Sequence, residues 1–221
     1  MPTQRKPPRR TRERILEVSL RLFNDQGEPQ VTTSAIADEM NISPGNLYYH
    51  FRNKDDIVDA LFEQFERDMD ALLRLPGDRS ADVEDAGLFL HLLFKTIWTH
   101  RFDYRDLSDL LTRNRKIELR FRSLLEGKTR AARALCDGLA ARGQLRASDF
   151  EIEALATNMV VVATWWLSYE FVRDARRFGE AGRQGAALAR GAFQVLALTG
   201  AYLEGDARAL FERLAREYLK P

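Results

Sequence analysis

The sequence holds one cysteine and three histidines, and its longest run of consecutive apolar residues is Met159 to Ala163. Each scarcity excludes something. A lone Cys136 rules out an internal disulfide framework and any cysteine-rich zinc site; set among Ala131, Ala132, Ala134, Leu135 and Leu139, it reads as an inert thiol. His91 and His100 are nine residues apart, which puts them on opposite faces of a helix and not in a metal-binding pair. No His-Glu-x-x-His, glycine-rich phosphate loop, Gly-x-Ser-x-Gly or Cys/His nucleophile pattern is present. No catalytic residue, metal site or cofactor is therefore expected, and an enzyme reading rests only on an unassigned cavity. Met159–Ala163 is far too short for the roughly 20 residues of a membrane span. No apolar run follows the basic N-terminus, so no secretory signal is expected and a cytoplasmic protein fits. No repeat, low-complexity linker or convincing strand is found.

What is present is ordinary in bulk and uneven in place. Hydrophobic residues at 45% and charged residues at 30% suit a soluble globular chain, and 221 residues suit one compact unit with a smaller one appended. The net charge is only +1, yet Arg5, Lys6, Arg9, Arg10, Arg12 and Arg14 stand against Glu13 alone, so residues 1–14 carry +5 and the remainder −4. Residues 1–10, with Pro2, Pro7 and Pro8, are expected to form an extended basic arm, with Arg9 or Arg10 reaching a minor groove or a phosphate. A merely solubilising tail is the alternative.

The helical pattern is continuous, and the fold expected is all-α. A helix is expected over Thr11–Gln26, with Ile15, Val18, Leu22 and Phe23 inward and Gly27 closing it. Thr33 is expected to cap a helix burying Ile36, Ala37 and Met40. After the corner Asn41-Ile42, Ser43 and Pro44 start a helix of two turns, Ser43-Pro44-Gly45-Asn46-Leu47-Tyr48-Tyr49-His50-Phe51. Leu47 and Phe51 share one face, whereas Gly45 and Tyr49 point away, flanked by Asn46 and Tyr48. Two short helices so closely joined make a helix-turn-helix, whose second member can enter the major groove. There Asn46 offers a donor and an acceptor, Tyr48 a ring for a thymine methyl, and Gly45 close backbone approach.

The run from Thr11 to Asp56 resembles the N-terminal DNA-binding domain of the TetR family of bacterial transcriptional regulators. The matching residues are Ile15-Leu16, Leu22-Phe23, Gly27, Val31-Thr32-Thr33, Ile36-Ala37, Ile42-Ser43, Gly45, Leu47-Tyr48-Tyr49-His50-Phe51, and Lys54 with Asp56-Ile57. The resemblance implies a helical homodimer that binds double-stranded operator DNA and releases it when a small molecule enters the larger domain. It implies that Ser34, Pro44, Gly45, Asn46 and Tyr48 face bases, and that Thr33, Tyr49, His50 and Lys54 grip phosphates. Leu47 and Phe51 would anchor the helix. The organisation expected is an arm over 1–10, a DNA-binding domain over 11–56, and an effector-binding and dimerisation domain over 57–221.

Within that larger part, Asn53 is expected to begin a long helix running to Leu75, stopped by Pro76-Gly77, and Ser80 to cap the next. A break is expected near Arg101 to Asp103, then a short helix with Leu107, Leu110 and Leu111. Helices follow over Lys116–Arg142, Asp149–Arg177 (Ser148 and Glu151 forming a capping box), Gly182–Tyr202, and from Gly205-Asp206 to Tyr218. The segment Ala154–Val172 is apolar nearly all round, and Gly185–Leu203 is rich in glycine and alanine. These two helices, at about 149–177 and 182–203, are the expected dimer face. The effector cavity implied by the resemblance draws on Phe94, Trp98, Phe102, Leu111, Phe121, Met159, Trp166 and Tyr169, with Arg105, Arg113, Arg115 and Arg120 available to an anionic end. A DNA-binding dimer without an effector is the rival reading.

Overall fold

The computed structural model describes residues 8–74, 82–180 and 182–218. Among them eleven α-helices follow one another, and the one β-type contact is an isolated antiparallel bridge between Leu145 and Leu203. The all-α expectation holds. No helix among the described residues is long and apolar enough to cross a membrane.

Helices α1 (Pro8–Gln26), α2 (Thr33–Glu39), α3 (Pro44–His50) and the start of α4 (Lys54–Leu73) enclose a small core. Ile15, Phe23, Ile36, Leu47 and Ile57 are fully buried in it. α1 starts three residues before the expected Thr11, because Pro8 suits a first helical turn; residues 1–7 of the expected arm lie outside the described part. The cap of α2 is Thr32 and not Thr33: Thr32 has the extended backbone, and its hydroxyl accepts from the Ala35 amide at 3.1 Å. Asn53 caps α4 as expected, accepting from the Asp56 amide at 2.8 Å.

The larger part comprises α5 (Val83–Thr99), α6 (Arg101–Arg105), α7 (Leu107–Arg113), α8 (Arg115–Ala141), α9 (Asp149–Arg173), α10 (Arg183–Ala197) and α11 (Gly205–Tyr218). Leu75, Pro76-Gly77 and Ser80 lie outside the described residues. The cap of α5 is Asp82, which exchanges hydrogen bonds with Asp85 in a capping box. The expected break at Arg101–Asp103 is itself a helical turn, α6. α9 ends four residues early at Arg173, and the helix expected over 182–202 divides into α10 and a 3-10 turn at Gly200–Tyr202.

The two parts are joined by polar groups as much as by packing. The last carbonyls of a helix need outside donors, and Arg105 supplies them to α1, donating to Phe23 O (2.7 Å) and Asn24 O (3.3 Å). The Asn24 amide donates to Thr99 O at 2.8 Å and accepts from the Phe102 amide at 3.1 Å. Below them the Phe23 and Phe102 rings meet at 5.3 Å. Glu28, fully buried in the 3-10 turn after α1, pairs with Lys54 of α4 (3.0 Å) and Arg113 of α7 (2.6 Å). One carboxylate thus ties the turn, the start of α4 and the body together.

Candidate nucleic-acid interface and the pocket behind it

The corner between α2 and α3 is set by Asn41, which takes φ 54°, a left-handed position that asparagine tolerates better than most residues. The Ile42 amide then reaches back to Ala37 O at 3.0 Å. Ser43 caps α3, accepting from the Asn46 amide at 3.2 Å, and Pro44 opens its first turn. Leu47 and Phe51 turn into the core, and the rest of α3 is presented to solvent.

The candidate residues separate clearly. Ser34, Pro44, Gly45 and Asn46 are exposed side by side across α2 and α3. Tyr49 is 81% exposed, and His50, half-buried, meets its ring edge-on at 5.1 Å. Tyr48 is half exposed, and its phenol oxygen lies 3.0 Å from the Thr33 hydroxyl, pinning α3 to α2. A Cβ added at Gly45 meets nothing nearer than Ser43 Oγ at 4.0 Å, so no internal contact demands glycine there. Arg9 and Arg10 fall in α1, but their side chains are outside the described part. Lys54 departs from its expected role. Its ammonium donates to Glu28 O (3.0 Å) and Val31 O (3.1 Å) and pairs with the Glu28 carboxylate, which turns its charge into the protein. Exposed cations beside α3 include Arg52, just past its end, and Arg12, whose guanidinium covers the Phe51 ring at 4.8 Å.

Behind this head a narrow pocket is lined by Leu73, Phe89, Leu93, Met159 and Val160, with Lys128 on its wall. Its open space is about 20 Å³, room for one water but not for an effector. Of the eight residues expected to line an effector cavity, Met159 is the one found in the lining of this pocket. Phe94 and Trp166 pack closely about Gly191, where an added Cβ would stand 2.6–2.8 Å from their rings. Trp98 packs on Phe178, Phe102 on Phe23, and Phe121 on Phe62. Leu111 is partly buried in the hydrophobic core, and Tyr169 is exposed on α9. The four arginines offered to an anion are engaged elsewhere. Arg105 holds the end of α1, Arg113 holds Glu28, Arg115 holds Glu118, and Arg120 holds Glu66. Lys128, by contrast, is 3% exposed, and its ammonium donates to the Tyr104 phenol oxygen at 2.6 Å. It also sits over the Tyr104 and Phe121 rings at 4.8 and 5.6 Å. No carboxylate pairs with it among the described residues, and burial pulls its pKa down to about 7.

Comparison with known proteins agrees with this layout. Residues 15–61 match the model of bacterial regulatory proteins of the tetR family, and residues 64–211 match the TetR model described as bacterial transcriptional repressor. This chain belongs to the TetR family. The crystal structure of a TetR-family transcriptional regulator from Marinobacter aquaeolei VT8 is 34% identical, covering 96% of this chain and 99% of that one, with a TM-score of 0.85. The HTH-type transcriptional regulator AcrR of Shigella flexneri is 30% identical over 96 residues, 41% of this chain, and the match spans 44% of AcrR. A putative transcriptional regulator from Saccharomonospora viridis, solved in complex with choline, shares the fold at 20% identity and a TM-score of 0.66, over 89% of this chain and 100% of that one.

In this TetR-family chain α9 is not buried all round. It packs on α8, α10 and α6, and the opposite stripe, Val161, Trp165, Tyr169 and Val172, stays open in the single chain. The small residues of α10 divide likewise: Gly191 and Ala192 are buried, while Gly185 and Ala186 are exposed. Glu28, Asn24 and Lys128 were not singled out from the sequence. Lys128 was detectable: it falls on the stripe Phe121, Leu124, Ala131, Leu135 of α8, a charge where the period calls for an apolar side chain.

Proposed function

We propose that the chain acts as a homodimeric repressor of transcription that is released from its operator by a small molecule. The observation carrying this reading is the division of α3: Leu47 is sealed in the core and Tyr49 is 81% exposed, so the helix presents to solvent the residues suited to a groove. Ser34, Pro44, Gly45, Asn46 and Tyr48 take the bases, and Thr33, Tyr49 and His50 the phosphates, with Arg52 in place of Lys54 and Arg9 and Arg10 adding charge from the N-terminus. Residues 11–56 form the reading unit and 57–221 the effector and dimer unit. The open apolar stripe of α9 and the exposed small residues of α10 support pairing with a second copy, which sets two α3 helices about one turn of DNA, roughly 34 Å, apart. The choline-bound fold relative supports a body that admits a small molecule, and Leu73 at the far end of α4 gives the pocket a lever on the head. The protein works in the cytoplasm, where the operator is.

Selection of bound duplexes from random DNA, followed by footprinting, tests the reading. A two-fold symmetric site is expected, and protection of no preferred sequence rejects it. Sedimentation is expected to give a dimer, with Trp165→Glu shifting it toward monomer.

A further inference from the structure

We infer that Lys128 is the recognition point for an acidic head group, so that the effector is a small amphipathic acid, a carboxylate on an apolar body, seated among α5, α8 and α9. The inference deepens the effector reading above and rests on it.

The pocket is apolar except at one point. Phe89, Leu93, Met159 and Val160 offer a molecule nothing but surface contact, and Lys128 is the cation on the wall. That cation has no carboxylate opposite it among the described residues, only a neutral phenol oxygen at 2.6 Å and two aromatic faces. The Tyr104 phenol is itself fully buried beside Asp103, and both push its pKa well above 10, so it supplies no negative charge. An ammonium buried without a counter-ion is unfavourable, and an aliphatic side chain would fill the same place at no such cost. The lysine relieves that cost either by giving up its proton, the direction in which burial pulls it, or by taking an anion brought from outside, which holds it charged. In a dry pocket a charge-assisted hydrogen bond to it is strong. A neutral head group leaves the charge uncompensated and an amine repels it.

A route for such a molecule is also present. Leu73 lines both this pocket and an open groove between α4 and α8, which Glu66, Arg74, Gly127 and Arg130 border on the outer side. A Cβ at Gly127 would approach Leu73 Cδ1 to 3.2 Å, so the absent side chain leaves Leu73 room. On this proposal Leu73 is the side chain that moves to admit the molecule, and an occupant large enough to fill the pocket holds it displaced.

The test uses the full chain and its selected operator. Octanoate, octanol and octylamine share a tail and differ in the head; phenylbutyrate with its alcohol and amine repeats the comparison on an aromatic body. Each is titrated by calorimetry against wild type and Lys128→Met, with thermal unfolding checking that both are folded; Lys128→Gln replaces the methionine variant if that one is not. In at least one series the acid is expected to bind wild type roughly ten- to a hundredfold more tightly than the alcohol, with the amine no better than the alcohol. The lysine variant should bring the acid to the alcohol's level while leaving alcohol binding as it was, and the acid should release operator from wild type only. Equal affinity for acid and alcohol in both series, acid binding unchanged in the variant, or no binding by either acid overturns the inference. If ligand-free wild type still holds its operator, the regulator reading survives that result; if it holds none, that reading fails instead.

Discussion

Gly45→Ala should make the protein more stable and a worse DNA binder. Inside a helix glycine is about 1 kcal/mol less favourable than alanine, and at the second position of a short helix such as α3 the gain is nearer 0.5 kcal/mol. The structure offers nothing to oppose it, since the added Cβ stands 4.0 Å from Ser43 Oγ and clear of every other group. For a chain of this size that is about 1–2 °C in Tm. On DNA the same methyl projects from the face that must approach the base edges, and a single misfit there costs about 1–3 kcal/mol, roughly five- to 150-fold in Kd. Urea unfolding and fluorescence anisotropy on the selected operator, at one stated salt concentration, measure the two effects. Gly191→Ala is the control of opposite design. Its Cβ would lie 2.6 Å from Trp166 Cδ1 and 2.7 Å from Phe94 Cε1, an overpacking expected to cost about 1–3 kcal/mol. If Gly45→Ala bound the operator as well as wild type, the glycine would not be a surface for close approach, and the placing of α3 against the bases would be wrong.

Glu28→Gln keeps the shape of the buried side chain but removes the charge that Lys54 and Arg113 share; both cations keep some access to water, so a loss of about 2–4 kcal/mol is expected by urea unfolding, with a change under 0.5 kcal/mol counting against the knot. Arg52→Ala should weaken binding to every sequence and flatten the salt dependence by about one unit of slope. Lys54→Met should instead lower stability, and a Lys54 variant that changed only the salt slope would restore it as a phosphate contact. Because the Lys128 pKa is pulled from 10.5 to about 7 on folding, the unfolded chain binds the extra proton between those values. Stability contributed at this site is therefore lowest below pH 7 and rises with pH through the window, by at most about 1.4 kcal/mol per unit. The difference in stability between Lys128→Met and wild type should shift in favour of wild type from pH 7 to 10, as followed by urea unfolding, and a constant difference would show that Lys128 folds without losing its proton.

The parts legible in the sequence were those governed by neighbours along the chain. Ser43 and Pro44 announce α3, Ser148 and Glu151 announce α9, and the spacing of Leu47 and Phe51 tells inward from outward. The errors have local causes too: the cap expected at Thr33 falls one residue earlier, because Thr32 takes the extended backbone and Thr33 already lies in the helix. What could not be read was what distant residues do to one another. Lys54 looks like a free cation until Glu28 is placed against it from 26 positions away. Arg105, Arg113 and Arg120 look available until the end of α1, Glu28 and Glu66 arrive beside them. The aromatics of the body stood at core spacing, and core is what most of them proved to be; only packing shows that the pocket opens beside Met159 and Lys128.

The Glu28 knot bears on anyone wishing to transplant the reading head. A cut between residues 56 and 57, where the sequence suggests a seam, would leave behind Arg105, the donor to the last carbonyls of α1, Asp106, which accepts from the Glu28 amide at 2.9 Å, and Arg113, one of the two cations on the Glu28 carboxylate. A chimera built that way would leave the Glu28 carboxylate to Lys54 alone and take the Arg105 guanidinium from the carbonyls of Phe23 and Asn24 at its new junction. Carrying α6 and α7 along with the head, or rebuilding their three polar side chains on the recipient, makes the graft self-consistent.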